Sequence, residues 1–240
     1  MLAAPDLISG IASLIYPPTC TICLASVGLR EHLCAECEAK LSRIVAPFCA
    51  KCSEPFDGAI TTTFSCANCA HRKLYFDAAV SAYRSRGIAR HVILNFKYGK
   101  QIQLRRLVGR WLIAAFDDPR LCQRRFDGIV PVPLHPARQR ERGFNQAALL
   151  AEQLGRHLGV PVRPALQRVR FTTTQTAFDR AERIQNLRHA FRLRRNADVR
   201  GLDVLLIDDV LTTGSTLSEC ARVLKENGAR SVYAATAARA

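Results

Sequence analysis

No apolar stretch among the 240 residues reaches the roughly 18 needed to cross a bilayer, so no membrane-spanning segment is expected. The first residues carry Asp6 and no early Lys or Arg, which makes a poor secretory leader and favours a cytoplasmic location. Runs of five or more like charges are missing, which excludes a charged tail. Aromatic residues are scarce at 7%, and this weakens the case for a dedicated base-stacking platform on single-stranded nucleic acid. The GxxxxGK[ST] pattern is absent, so there is no Walker A loop. A hydrophobic share of 48% and a charged share of 23% are those of a folded globular chain. The length suits one large domain or two small ones.

Charge is plentiful but unevenly placed. Residues 1–76 carry six basic and six acidic side chains; residues 77–240 carry 29 basic and 14 acidic, which is the whole +15 excess. That step predicts a domain boundary near residue 76. A basic second domain favours polyanionic partners, nucleic acid or phosphorylated small molecules. Base composition is the plainer source of such a charge, because 29 of the 35 basic residues are Arg.

Eight of the ten cysteines form four CxxC pairs, Cys20/Cys23, Cys34/Cys37, Cys49/Cys52 and Cys66/Cys69, with 10, 11 and 13 residues between successive pairs. Two thiolates separated by two residues sit on one tight turn, and tetrahedral zinc takes two such turns. The simplest pairing joins neighbours, Cys20, Cys23, Cys34 and Cys37, then Cys49, Cys52, Cys66 and Cys69; a crossed pairing satisfies the same spacing. Disulfides need an oxidising compartment, and a redox dithiol is a single CxxC rather than a regular series. Two structural Zn2+ sites are therefore expected, each worth on the order of 10–16 kcal/mol to a segment poor in large apolar residues. Two zinc ions held by four thiolates apiece bring the chain from +15 to about +11. His71 follows Cys69 closely, but four cysteines per site leave it unneeded. Cys122 and Cys220 are isolated; Cys220 falls in the helical stripe Leu217, Cys220, Ala221, Leu224 and reads as a small core residue.

The hydrophobic period places the remaining elements. Leu7, Ile8, Ile11, Leu14 and Ile15 predict a short N-terminal helix. A strand is expected at 78–83, a helix at 87–97, and a second helix on the stripe Leu104, Leu107, Val108, Trp111, Leu112, Ala115. A strand at 128–133 is followed by a basic loop, a helix at 145–158 and the start of a strand at 160–162. Residues 168–195 are polar, with a helical piece near 177–189. A buried strand at 204–207, a helix at 216–227 and a strand at 232–236 close the chain. Alternating strands and helices predict an α/β fold with a mainly parallel sheet, whose ligands bind beyond the C-terminal strand ends.

The most informative segment is 204–217, VLLIDDVLTTGSTL. Four apolar residues lead to Asp208 and Asp209, then to Thr212, Thr213, Gly214, Ser215 and Thr216 at a helix start. Backbone N–H groups opening a helix accept a phosphate, and glycine lets it come close. Hydroxyls add donors. The two carboxylates repel phosphate but suit ribose hydroxyls or a hydrated divalent cation. The pattern fits a phosphorylated sugar.

This segment resembles the phosphoribosyl pyrophosphate (PRPP) motif of type I phosphoribosyltransferases. With the CxxC series, Pro131-Val132-Pro133-Leu134, Arg142-Gly143-Phe144-Asn145-Gln146, Thr174-Gln175, and Arg183 with Asn186, the chain resembles the ComF family along nearly its full length. The resemblance implies a double zinc ribbon over residues 1–76 and a type I phosphoribosyltransferase fold over 77–240. It implies PRPP with Mg2+ on Asp208, Asp209, Val210, Leu211, Thr212, Thr213, Gly214, Ser215 and Thr216, the carboxylates on the ribose and Thr212–Thr216 on the 5′-phosphate. Arg138, Arg140 and Arg142 fall where type I enzymes bind pyrophosphate. Residues 168–186 correspond to the loop covering the active site, with Thr174, Gln175 and Arg183 as its site residues. Lys97 and Tyr98 are weighed as pocket residues against a surface turn, and His135 as a base by position alone.

Two classes of function follow. One is an enzyme of pentosyl transfer, releasing pyrophosphate from PRPP. The other is a non-catalytic scaffold binding nucleic acid or protein. The resemblance implies a part in natural competence, with single-stranded DNA and competence proteins as partners; the basic half suits the nucleic acid, and the neutral ribbon suits protein docking.

Overall fold

The computed structural model describes residues 17–58, 60, 64–170, 187 and 189–240. The expected helix at Leu7–Ile15 lies outside them, as does the helical piece at 177–189 except Leu187 and His189. Two short helices, α1 (Ala35–Ala39) and α2 (Ala67–Ala70), each begin just after a cysteine of the ribbon segment. Then follow β1 (Ala79–Arg84), α3 (Gly87–Tyr98), α4 (Arg105–Ala114), α5 (Pro119–Cys122), β2 (Gly128–Pro131), α6 (Pro136–Arg142) and α7 (Gln146–Leu158). The chain ends with β3 (Leu166–Arg168), β4 (Phe191–Leu193), β5 (Asp203–Leu211), α8 (Ser215–Glu226) and β6 (Ser231–Arg239).

The main sheet is wholly parallel, in the order β1-β6-β5-β2, with β3 and β4 forming a separate antiparallel pair. Its central strands read as continuous apolar runs because both faces are covered. Alternation divides them cleanly. Val80, Ile129, Leu205, Ile207 and Ala235 join α3, α4 and α7, including Phe96, Trp111 and Leu150. Ala79, Val130, Val204, Leu206 and Ala234 face α8 with Leu217, Cys220 and Leu224. Each side chain fully buried in these layers contributes about 1.5–3 kcal/mol.

The cysteine clusters divide the same way. Cys20 and Cys37 pack into the α4 layer, and Cys49, Cys52 and Cys66 into the α8 layer. The ribbon therefore straddles the free edge of β1. The Ile44 N–H donates to the Ala82 carbonyl, Arg84 N–H to Ser42, and Ala79 N–H to Lys51. The opposite edge, β2, is closed by 161–163, where Ile129 N–H donates to Pro161 and Arg163 N–H to Ile129.

Three expectations need correction. The strand does not stop before the carboxylates: β5 runs to Leu211, with Asp208 in register with Thr236 and Leu211 with Arg239. The stretch after Pro133 is not a loop but the helix α6, capped by the His135 side chain, which accepts from Ala137 N–H, and ended by Gly143 at φ +82°. Residues 160–162 make only an isolated bridge, between Val162 and Ile129.

Candidate functional site

The C-terminal ends of β2 and β5 and the N-terminus of α8 bound the candidate site. Asp208 and Asp209 lie in the last turn of pleat before the loop 212–214. Successive strand residues face opposite sides of a sheet, so the two carboxylates have different surroundings. Asp209 is buried, and its Oδ1 lies 2.8 Å from Lys97 Nζ at the end of α3. Asp208 is half-buried and its Oδ1 accepts the Asp209 N–H at 2.9 Å. Burial, reinforced by the Asp209 charge and only partly offset by Lys97, raises Asp208 from 3.8 to about 7. Burial works against the Lys97 charge, but Asp209 and Asp208 outweigh it and hold the ammonium above its usual range. Lys97 thus lies against the carboxylate pair at the end of α3 and not on a surface turn.

The segment Arg142–Gln146 builds the wall beside Lys97. Phe144 packs on Phe96 with ring centroids 5.6 Å apart, and the Arg142 guanidinium lies over the Tyr98 ring at 4.8 Å. The Asn145 side chain accepts from Ala147 N–H, capping α7, while its Nδ2 donates to Val132 O and ties the helix to the end of β2. Gln146 is buried; it donates to Lys97 O at 3.5 Å and its Oε1 accepts from Arg142 at 3.2 Å. Each residue of this motif thus has a local task.

The helical form of α6 sorts its arginines. Arg138 and Arg142, four apart, share one face, whereas Arg140 projects elsewhere and is exposed. Arg140 lines a separate shallow groove with Pro136, Gln139 and Gly143. Arg168 is at the end of β3; burial, together with the charges of Arg138 and Arg142, lowers it from the ordinary guanidinium range. Asp208 pulls it the other way. Arg168 thus lies within reach of the charges of Arg138, Arg142 and Asp208. The placement of Arg168 carries no local sequence signal, because it depends on pairing with β4. Thr174, Gln175 and Arg183 lie outside the described residues.

The loop itself is tightly turned. Gly214 adopts φ +75° as the N-cap of α8, a conformation costly for any residue with a Cβ. Thr213 Oγ1 and Ser215 Oγ are 2.9 Å apart, and Ser218 N–H donates to Gly214 O. Of the remaining residues assigned to it, Leu211 is buried in the α8 layer and Val210 is half-buried on the other face, so both serve as strand. Cys220 is fully buried, and desolvation pushes its thiol well above the ordinary range, as a core residue requires.

The cysteines assemble in two groups by neighbouring pairs: Cys20, Cys23, Cys34 and Cys37, and separately Cys49, Cys52, Cys66 and Cys69. Within each group all Sγ atoms lie within 4.8 Å of one another. The Cys23–Cys34 separation is 3.5 Å and Cys52–Cys66 is 3.6 Å. A zinc–sulfur length of about 2.3 Å gives tetrahedral edges near 3.8 Å, so both groups fit Zn2+ and the crossed pairing is excluded. His71 belongs to neither.

Comparison with known proteins gives the same two parts. Residues 11–70 match the double zinc ribbon domain, and residues 144–240 match the phosphoribosyl transferase domain. Competence protein F of Haemophilus influenzae is 32% identical over 226 residues, covering 92% of this chain and 96% of its own. The chain belongs to the ComF family. Other relatives are the DNA utilization protein YhgH of Salmonella typhimurium, 31% identical over 91% of this chain and 96% of its own, and competence protein ComFC of Bacillus subtilis, 30% identical over 82% and 80%. As a ComF member the chain combines two four-cysteine zinc sites with a type I phosphoribosyltransferase fold. Among the described residues no helix is long and apolar enough to cross a membrane.

Proposed function

We propose that this ComF chain binds PRPP with Mg2+ and acts in the cytoplasm on DNA taken up during natural competence. One observation carries the reading: an acidic pair at the end of β5, held by Lys97, with a helix-opening loop directly after it. The backbone and hydroxyls of Thr212–Thr216 take the 5′-phosphate, where N–H groups and the helix dipole favour an anion. Asp208 accepts from the ribose hydroxyls, and Lys97 fixes Asp209 beneath it. Arg138, Arg142 and Arg168 take the pyrophosphate and stabilise the charge it gains as its bond to the ribose breaks. The hard carboxylate oxygens of the pair suit Mg2+, which neutralises diphosphate charge when bound.

Titration calorimetry with PRPP and Mg2+ tests the reading, wild type beside Asp208→Asn/Asp209→Asn, each repeated with a single-stranded oligonucleotide. Binding lost in the folded double variant supports a working phosphoribosyl site. Salt-sensitive oligonucleotide binding without PRPP binding supports the scaffold reading, which the +15 charge favours.

A further inference from the structure

The loop at 212–216 is held from outside its own domain. Arg72 stands three residues after Cys69, and Asn68 lies between the ligands Cys66 and Cys69 of the second cysteine group. The Arg72 guanidinium donates from Nη1 to Thr213 O at 3.1 Å and from Nη2 to Ser215 Oγ at 2.9 Å. Asn68 Nδ2 donates to the same Thr213 carbonyl at 3.1 Å, and Asn68 Oδ1 accepts from Arg72 Nη1 at 2.9 Å. One turn further on, Tyr75 N–H donates to Ser218 Oγ at 3.2 Å. The two side chains and the loop form one closed hydrogen-bonded set across the seam between ribbon and sheet.

We propose that Arg72 and Asn68 are positioning residues for the phosphate loop, so that the second zinc site is a structural part of the phosphoribosyl site. Peptide geometry gives the reason. In a trans peptide the carbonyl of one residue and the N–H of the next point in opposite directions. Two donors on Thr213 O therefore aim the Gly214 N–H away from the ribbon. Gly214, at φ +75°, has no Cβ to resist that orientation. Ser215 Oγ accepts from Arg72, which leaves its hydrogen to be donated to Thr213 Oγ1 or to an anion. The guanidinium also places a positive charge behind the loop. The first cysteine group packs on the opposite face of the sheet, against the α4 layer, and makes no such contact among the described residues. The assigned coupling is specific to the second group.

That this positioning serves a ligand rests on the phosphoribosyl reading; that it orders the loop does not. The test uses full-length, zinc-loaded protein and two readouts. The first is amide hydrogen exchange at residues 212–216 in the free protein, for wild type, Arg72→Ala and Arg72→Lys. The second is titration of the same proteins with PRPP and Mg2+. Zinc content and melting temperature are recorded for each. Expected for Arg72→Ala are exchange about tenfold faster at the loop and PRPP binding about tenfold weaker, with two zinc ions retained. Arg72→Lys recovers part of both, since a single ammonium cannot reproduce the planar fork. Unchanged PRPP affinity in Arg72→Ala overturns the assignment. If wild type takes no PRPP, the phosphoribosyl reading falls, and exchange alone decides: faster loop exchange supports the positioning role and unchanged exchange overturns it. If Arg72→Ala fails to fold, Arg72→Gln replaces it with the same outcomes, because it keeps the aliphatic stem and loses the fork.

Discussion

Asp208 holds its proton far above the ordinary carboxylate range, and this ties stability to function through one group. Its value is 3.8 in an open chain and about 7 in the fold, raised first by burial and then by Asp209. Between these values the unfolded chain has released the proton and the folded chain keeps it. The unfolded state then binds fewer protons, so stability falls as pH rises through this window and levels off above about 7. Roughly three units at 1.36 kcal/mol each set a ceiling of about 4 kcal/mol. Some of that is already lost by pH 5.5, which leaves about 2 kcal/mol to be lost between about pH 5.5 and 8. Asp208→Asn removes the titration and keeps an oxygen for the Asp209 N–H. Melting curves of both proteins at about pH 5.5 and 8, above the range in which thiolate sites shed metal, should show the variant gaining about 4–8 °C on wild type at the higher pH. The same substitution should abolish the PRPP binding proposed above, as calorimetry would show. An equal difference in melting temperature at both pH values would refute the reasoning.

Three further perturbations act on neighbouring parts. Lys97→Met leaves two adjacent carboxylates without their counter-charge; because the Lys97 side chain keeps 21% exposure, the expected loss is about 2 kcal/mol, below that of a fully buried pair, and largest at alkaline pH in denaturant titration. Gly214→Ala forces a Cβ into the left-handed region, so about 1–2 kcal/mol of stability should go, with PRPP binding lost in calorimetry. Metal analysis of anaerobically purified protein should give two zinc ions per chain, and Cys20→Ser/Cys23→Ser should give one; a reading of none in the wild type contradicts both cysteine sites.

Much of this was legible in the sequence where the signal was local and periodic. The stripe Leu107, Val108, Trp111, Leu112 gives α4 because a 3.6-residue period has one apolar solution. The run Val204–Ile207 gives a strand buried on both faces, and the CxxC series gives the metal ligands. The failures share a cause. The α6 segment PARQRER has no apolar stripe, so it reads as a loop, yet Pro at its start, the His135 cap and Gly143 at its end are enough to form a helix. β5 continues through two carboxylates because its ladder to β6 and the Lys97 charge outweigh their poor strand propensity. The strands Leu166–Arg168 and Phe191–Leu193 are three residues each, too short for any period to show.

Contacts between distant parts of the chain are the other class that escaped, and they explain why a neutral zinc segment accompanies a basic domain of phosphoribosyltransferase fold. A parallel sheet leaves two open edges, and an unpaired edge invites pairing with another chain. At β2 the chain closes its own edge with residues 161–163. At β1 the ribbon does so, taking the N–H of Ala79 and Arg84 and giving the N–H of Ile44. Arg120 strengthens the seam by donating to Cys49 O, Ala50 O and Ser53 Oγ, and Arg239 pairs with Glu54. Metal-held turns suit this task because their shape comes from four thiolates and not from a core of their own. Fixed in that way, the segment presents Asn68 and Arg72 to the loop at 213–215. A flexible edge cover could satisfy β1, but the orientation of one carbonyl at Thr213 calls for a rigid one, and Asn68 and Arg72 tie the second cysteine group to the loop at 213–215 as well as to the fold.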